Sequence, residues 1–508
     1  MKKIVIILLL SILVIGSAGV GAYFVLKPNH KIEVEQTSGA TISVDQLKAR
    51  EGKEVKITST VDNGYTFSYY IVDGKQIEGS SFIMPDKDVK ISAKLETVNY
   101  SISYKNINEY TINPNTTSSY TVTTNDITLE DPTRSGYAFA GWYKDSVFEN
   151  KIDEIAKGSF GNLELYAKWE ALFTYNTSGV LTGVTDYAKN GGIETLIIPA
   201  SIDGQAITEV GAETQIPGGK YKNIVVEKGI TKFGTHAFKG GLVEYKTEKI
   251  SYTGTLEDWC EIDFMSESSN PTMFCTVGAD LYIDNVHVDY TLNLPDITYI
   301  KPYSFYGVVD IVVLNFANKT TAIGVSAFEH CKNLAMTDLS NIVTIQDKAF
   351  MWCEKLTKIN YKDGSVNKLD SVQTIGNSAF SCAGLESIGF NDNLSSIGDF
   401  AFFSSYLKSV DLDAYRLTSV GEHAFENCDI TELIIDTLYD LTLGTNAFNA
   451  NENLTEIYLR SNTGKVNITD TTFKDCGLTA VYIYPDMMSE YTSSDDWSAY
   501  SELLQSKS

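Results

Sequence analysis

The chain has 508 residues, enough for about three domains. Its 65 acidic and 40 basic residues leave a net charge of −25, which argues against a nucleic-acid binder, because phosphate recognition needs clustered Lys and Arg. Apolar residues make up 43% and charged residues 21%, so the chain can bury a core. The 30 Tyr and only 10 Pro lean toward strands. Seven Cys are too few for a disulfide-built scaffold, and an odd number cannot all pair.

Lys2 and Lys3 precede an uncharged run over residues 4–26. As a helix it is about 34 Å long, enough to span a bilayer core of roughly 30 Å. The lysines favour the cytoplasmic side, so the chain beyond is expected outside a single-pass membrane segment within residues 1–30. A second reading stays open: a cleaved signal, with Gly16-Ser17-Ala18 or Val20-Gly21-Ala22 as small-residue exits and a secreted product. The apolar residues that continue past Ala18 favour the uncleaved anchor. No Cys lies in this run, so lipid attachment there is not expected.

Residues 31–97 alternate apolar and polar side chains. Residues 55–58 and 89–93 read as strands, with Asp62-Asn63-Gly64 and Asp73-Gly74 as turns. Residues 82–89, FIMPDKDV, resemble the T-F-x-M-P-x-x-D-V signature of bacterial extracellular modules related to internalin B-repeats. A small β domain is expected. Residues 98–171 carry Pro132-Thr133-Arg134-Ser135-Gly136-Tyr137, then Gly141-Trp142-Tyr143, and close on Leu165-Tyr166-Ala167-Lys168-Trp169. This segment resembles the Listeria–Bacteroides repeat of the internalin B-repeat family, which implies a β-grasp-like fold. Trp142 and Trp169 sit in alternating strand patterns and are expected as core anchors rather than sugar platforms.

From residue 233 a phrase recurs: apolar, Gly or polar, two variable residues, Ala, Phe. It ends at Phe238, Phe328, Phe350, Phe380, Phe402, Phe425 and Phe448, with degenerate copies at Phe305 and Phe473. From Phe305 the steps between these Phe are 23, 22, 30, 22, 23, 23 and 25 residues. A period of 22 to 23 marks a solenoid in the leucine-rich-repeat range. The step of 67 from Phe238 to Phe305 is about three periods and is expected to hide two weak rungs. The step of 30 holds an insertion at residues 362–365. A second phrase, Leu-x-x-apolar-x-apolar, follows each Phe and reads as a strand whose first, fourth and sixth residues face the core.

With these phrases in place, residues 172–508 resemble the BspA-like leucine-rich-repeat surface proteins. I-G-x-x-A-F-x-x-C-x-x-L is nearly literal at residues 323–334 and 345–356. Residues 250–260 and Ser269-Asn270-Pro271 also resemble a stretch typical of that family. The expected fold class is mainly β: a leucine-rich-repeat solenoid over 172–485, preceded by two small β-rich modules of β-grasp-like or β-sandwich type and an N-terminal transmembrane helix. Residues 486–508 are expected as a capping helix and tail, with Trp497, Tyr500 and Leu503 closing the last rung.

Five cysteines, Cys331, Cys353, Cys382, Cys428 and Cys476, follow the repeat Phe by two or three residues. No C-x-x-C pair exists, so a column of buried thiols is expected rather than a metal site. A Cys331–Cys353 disulfide between neighbouring rungs is allowed by strand spacing. His236, His330 and His423 fall in or beside the repeat phrase and read as variable solenoid positions. No H-E-x-x-H, G-x-S-x-G, P-loop or G-x-G-x-x-G motif is present, and no pair of carboxylates stands out. No catalytic residue, cofactor or metal ligand is expected.

Binding belongs on the solvent side of the strand ladder. The fifth strand position runs Asn315, Asp338, Asn360, Gly389, Asp411, Ile434, Tyr458, Tyr482, and the third ends Ser409, Glu432, Glu456, Ala480. The ladder starts polar and ends apolar and aromatic. Asp411, Glu432, Ile434, Glu456, Tyr458 and Tyr482 are therefore the candidate contact residues for an extracellular protein or polysaccharide, the protein acting as a monomer. The other reading of Tyr458 and Tyr482 is simple pairing across strands. The implied role is adhesion, against a spacer without its own ligand or an extracellular hydrolase.

Overall fold

The computed structural model describes residues 27–239, 247–360 and 367–507. The expected membrane segment and the insertion at 362–365 lie outside the described residues. Among the described residues no helix is long and apolar enough to cross a membrane. By its internal contacts the chain divides into two units. One holds residues up to 106 with 114–131 and 141–168. The other holds 169–508 together with 107–113 and 132–140.

In the first unit, the strand Glu54–Val61 and the strand Val89–Thr97 contain the segments that alternation singles out. Asp73 and Gly74, both at positive φ, join Tyr65–Val72 to Lys75–Ile77 in a tight hairpin with Val72 opposite Lys75. One five-stranded sheet places the first strand, Asn29–Val34, parallel to Val89–Thr97. A three-stranded sheet covers it. Their shared core is Ile32, Ala49, Val55, Ile57, Tyr70, Met84, Val89, Ile91 and Ala93. Met84 is the Met of the FIMP phrase, and its burial explains that phrase. The following module repeats the parallel pairing in its own five-stranded sheet, with Tyr100–Lys105 parallel to Leu163–Ala171. Both modules are β-rich, and no helix lies among their described residues. Trp142 is 2% exposed and donates its indole N–H to Glu130 O at 3.0 Å. Trp169 is only half-buried, edge-on to Phe139 at 5.5 Å, and is not the core anchor expected.

The second unit is a right-through stack of rungs. The Leu-x-x-apolar-x-apolar phrase forms parallel ladders, divided among successive sheets. Its members Leu407, Val410 and Leu412, then Ile430, Leu433 and Ile435, then Leu454, Ile457 and Leu459, are buried. This is the expected inward pattern. The first apolar residue of the Ala-Phe phrase forms a second ladder that the repeat pattern had not shown as strand. It has eight short strands, from Tyr299–Ile300 to Val466–Asn467. The 67-residue step holds two rungs, whose strands are Asp280–Ile283 and Tyr290–Asn293, but these belong to separate sheets.

The repeat Phe rings form one continuous stack. From Phe305 to Phe473 successive centroids lie 5.0 to 5.6 Å apart, and all but the last pair are within 10° of parallel. Three residues after each Phe from Phe328 on is a slot, buried in all but the last rung, occupied in turn by Cys331, Cys353, Ala383, Ser405, Cys428, Asn451 and Cys476. Cys331, Cys353 and Cys428 each donate a thiol to the carbonyl of the preceding rung's Phe at 3.3 Å, and Cys476 does so at 3.1 Å. Asn451 makes one such bond, to Phe425 O at 2.9 Å, and a second to its own rung's Phe448 O at 2.8 Å. All seven cysteines are free thiols, so the allowed disulfide is not formed. Cys382 lies two residues after its Phe, outside the slot, and is part-exposed.

The end of the array corrects the expected capping helix. Residues 485–503 form short helical turns, Pro485–Met487, Met488–Thr492 and Ser498–Leu503. Leu504–Ser506 then joins the main ladder as one more parallel strand beside Ala480–Ile483. Trp497 is fully buried against Phe473 and donates to Val466 O at 2.8 Å. The closure is thus by tryptophan and by a strand.

Candidate functional site

Parallel pairing sets the candidate residues in columns. Ser409 faces Glu432, Glu432 faces Glu456, and Glu456 faces Ala480; Asp411 faces Ile434, Ile434 faces Tyr458, and Tyr458 faces Tyr482. The solvent-side columns read from periodicity are therefore the columns of the folded ladder. Tyr458 and Tyr482 stack, with ring centroids 4.9 Å apart. Glu456 accepts from both hydroxyls, from Tyr458 at 2.6 Å and from Tyr482 at 3.4 Å. That hydrogen bond to Glu456, with burial second, pushes the Tyr458 hydroxyl up to about 12.

Two cations complete the end of the ladder. Lys507 Nζ lies 4.1 Å from the Tyr482 ring centre and 4.6 Å from that of Tyr458, and the Arg460 guanidinium 5.8 Å from Tyr458. Glu432, Tyr458, Leu459, Arg460, Tyr482, Tyr484 and Lys507 line an open groove of about 450 Å³. Aromatic faces, a carboxylate and two cations converge there without a His or Cys, so the groove suits contact rather than nucleophilic chemistry. Asp411, Ile434 and Glu456 stand in the same ladder but outside the lining, Glu456 reaching it only through the two tyrosine hydroxyls. Burial, then the neighbouring Asp413, holds the Asp411 carboxyl above the ordinary range. Asp436 is raised in the same way.

Sequence columns missed Arg460, Tyr484 and Lys507. Arg460 directly follows the strand Glu456–Leu459, and Tyr484 follows Ala480–Ile483, so both were legible as strand exits. Lys507 follows a strand that no periodicity marked.

The repeats themselves carry the decisive match. Residues 288–372 and 373–493 fit the model of the BspA type leucine-rich repeat region, in six copies. Residues 288–493 of the solenoid match BspA-type leucine-rich repeats. Residues 100–168 fit the Listeria-Bacteroides repeat domain and residues 30–99 the divergent InlB B-repeat domain. All three are repeat families, not enzyme families. No curated protein matches the chain. Similar solved structures include a leucine-rich repeat protein from Bacteroides ovatus, 17% identical over 67% of this chain and 99% of that one, with a TM-score of 0.31. A leucine-rich cell surface protein from Faecalibacterium prausnitzii is 13% identical over 66% and 93%, with a TM-score of 0.23. The pneumococcal vaccine antigen PcpA is 13% identical over 66% and 95%, with a TM-score of 0.34.

Proposed function

We propose that this BspA-type repeat protein is held to a bacterial cell by its N-terminal apolar segment and presents the solenoid to an extracellular protein or polysaccharide. The carrying observation is the groove at the end of the main ladder, where the Tyr458–Tyr482 pair meets Glu432, Glu456, Arg460 and Lys507. Stacked, part-exposed tyrosines with both signs of charge beside them supply the mixed apolar and polar contacts that recognition uses. The net charge of −25 disfavours nucleic acid, and leucine-rich arrays commonly act as interaction scaffolds.

The test is binding of the chain from residue 27 onward to a panel of matrix proteins, mucins and bacterial polysaccharides. Saturable binding that falls at least tenfold in Tyr458→Ser and in Tyr482→Ser, with circular dichroism unchanged, supports the groove. Binding that ignores both substitutions moves the contact elsewhere. A spacer without its own ligand is the second reading, because Lys507 already covers both rings. Silence across the panel favours it. Protease treatment of intact cells tests the placement: a chain left whole is not outside.

A further inference from the structure

Away from the groove, three metal-ligating side chains converge where one sheet of the solenoid gives way to the next. Asp280 opens the strand Asp280–Ile283, His287 ends the strand Val286–His287, and Asp310 directly precedes Ile311–Asn315. One ligand atom from each lies within 4.8 Å of the others. Nothing in the repeat phrase marks these positions: Asp280 and His287 sit in the stretch between Phe238 and Phe305, and Asp310 follows the degenerate copy at Phe305.

The local fold presents the imidazole. Asp284 and Asn285, both at positive φ, make the two-residue turn of a hairpin that pairs Tyr282 with His287. The Tyr282 ring lies along the imidazole, centroids 4.9 Å apart. Asp289 Oδ2 sits 3.3 Å from Nδ1, and Asp310 Oδ2 sits 3.6 Å from Nε2. The first contact fits a carboxylate that holds Nδ1–H and leaves the Nε2 lone pair outward, as carboxylates behind metal-bound histidines do. The second is too long for a hydrogen bond. It is close to the separation of about 3.4 Å between two ligand atoms on one tetrahedral ion with bonds near 2.1 Å. Nε2 itself is sealed from solvent and has no hydrogen-bond partner. A sealed ring nitrogen beside the Asp310 carboxylate, with Asp280 in the same cluster, has the composition of a metal-ligand set.

We propose that Asp280, His287 and Asp310 bind one divalent transition-metal cation of the Zn2+ or Mn2+ class. One imidazole and two carboxylates suit these ions, whereas Ca2+ takes six to eight oxygens and Mg2+ keeps most of its waters. Water completes the coordination. The ion acts as a clamp: Asp280–Ile283 and Tyr290–Asn293 belong to different sheets, and the parallel ladder is interrupted between them. Asp280 and His287 come from one side of that break and Asp310 from the other.

The test uses the full chain, stripped with a chelator and dialysed against Zn2+ or Mn2+, with bound metal counted by mass spectrometry. The expected result is one saturable equivalent per chain. Affinity falls at least tenfold in His287→Gln and in Asp310→Asn, and roughly 10–100-fold in Asp289→Asn, which removes only the outer partner. The ion also raises Tm in the parent chain and not in these variants. If His287→Gln fails to fold, Asp280→Asn, at a strand end, serves in its place with the same tenfold expectation. Absence of a saturable equivalent for either ion overturns the proposal and leaves only the direct His287–Asp310 contact. Undiminished binding in all these variants overturns it too, and assigns the metal to another histidine, such as His30 beside Asp86.

Discussion

The slot three residues after each Phe from Phe328 on shows how one position solves one problem. The carbonyl of the preceding Phe lies in the core and needs a donor. Cys supplies it in four rungs and Asn451 in another. Asn451→Ala should lose about 1–3 kcal/mol in urea unfolding, because two carbonyls lose their partner, whereas Asn451→Cys should recover most of it. The slot also sorts the thiols. Burial raises the thiol of Cys428 to about 11, and Cys331 and Cys353 higher still. Native alkylation followed by mass spectrometry should therefore modify Cys382 before Cys331, Cys353 and Cys428, which react only on unfolding. Glu329 is a different case: burial holds its carboxyl above the ordinary range, and Oε2 has no hydrogen-bond partner. A carboxyl raised by folding carries a penalty absent below its unfolded pKa of about 4.3, and stability falls as pH rises through the folded value. Glu329→Gln should thus raise stability by about 1 kcal/mol at pH 7 and leave Tm unchanged at pH 3.

Within a rung, period and composition told which residues face inward but not how the chain turns. Two positions per rung, two before and two after the Phe, adopt left-handed backbone: Ser326 and His330, Lys348 and Trp352, Phe400 and Ser404 among them. A sequence reader expects Gly or Asn at such places. Here the neighbouring rung holds the conformation instead. The N–H groups of Ser326, Phe328 and His330 bond to Asp347, Ala349 and Met351 carbonyls one rung on. Those bonds are invisible in a single repeat, which is why this stretch reads as a turn of variable residues. The Phe stack was legible as a repeat but not as ring-on-ring contact. Phe402→Ala, in its middle, should lose about 3–5 kcal/mol by chemical denaturation, with little change in circular dichroism of the folded state.

Across the molecule, one assignment of segments to units came only from contacts. Arg134 bonds Asp203 through two nitrogens, at 2.8 and 2.6 Å, and Tyr137 adds a third bond to the same carboxylate at 2.9 Å. All three belong to the long unit although Arg134 and Tyr137 lie inside the B-repeat sequence. Arg134 holds the Asp203 carboxyl below its ordinary range. That contribution is present above the unfolded pKa of about 3.9 and lost as pH falls. A fragment starting at residue 172 should consequently unfold at lower denaturant than one starting at 107. At the far end, removal of residues 486–508 should uncover the Phe473 rung and the open edge of the Ala480–Ile483 strand. Self-association by light scattering is the expected outcome.

The sequence by itself determined the repeat, its period, the inward column of each strand and the order of side chains along the outer face, because a stacked array repeats the same burial at every rung. The candidate columns followed, since parallel register copies sequence offset. Only the tertiary structure decided the second ladder, the left-handed turns, the terminal strand that brings Lys507 over two tyrosines, and the meeting of Asp280, His287 and Asp310. Each of these depends on a partner one rung or more away in the fold, at a separation that no local pattern encodes.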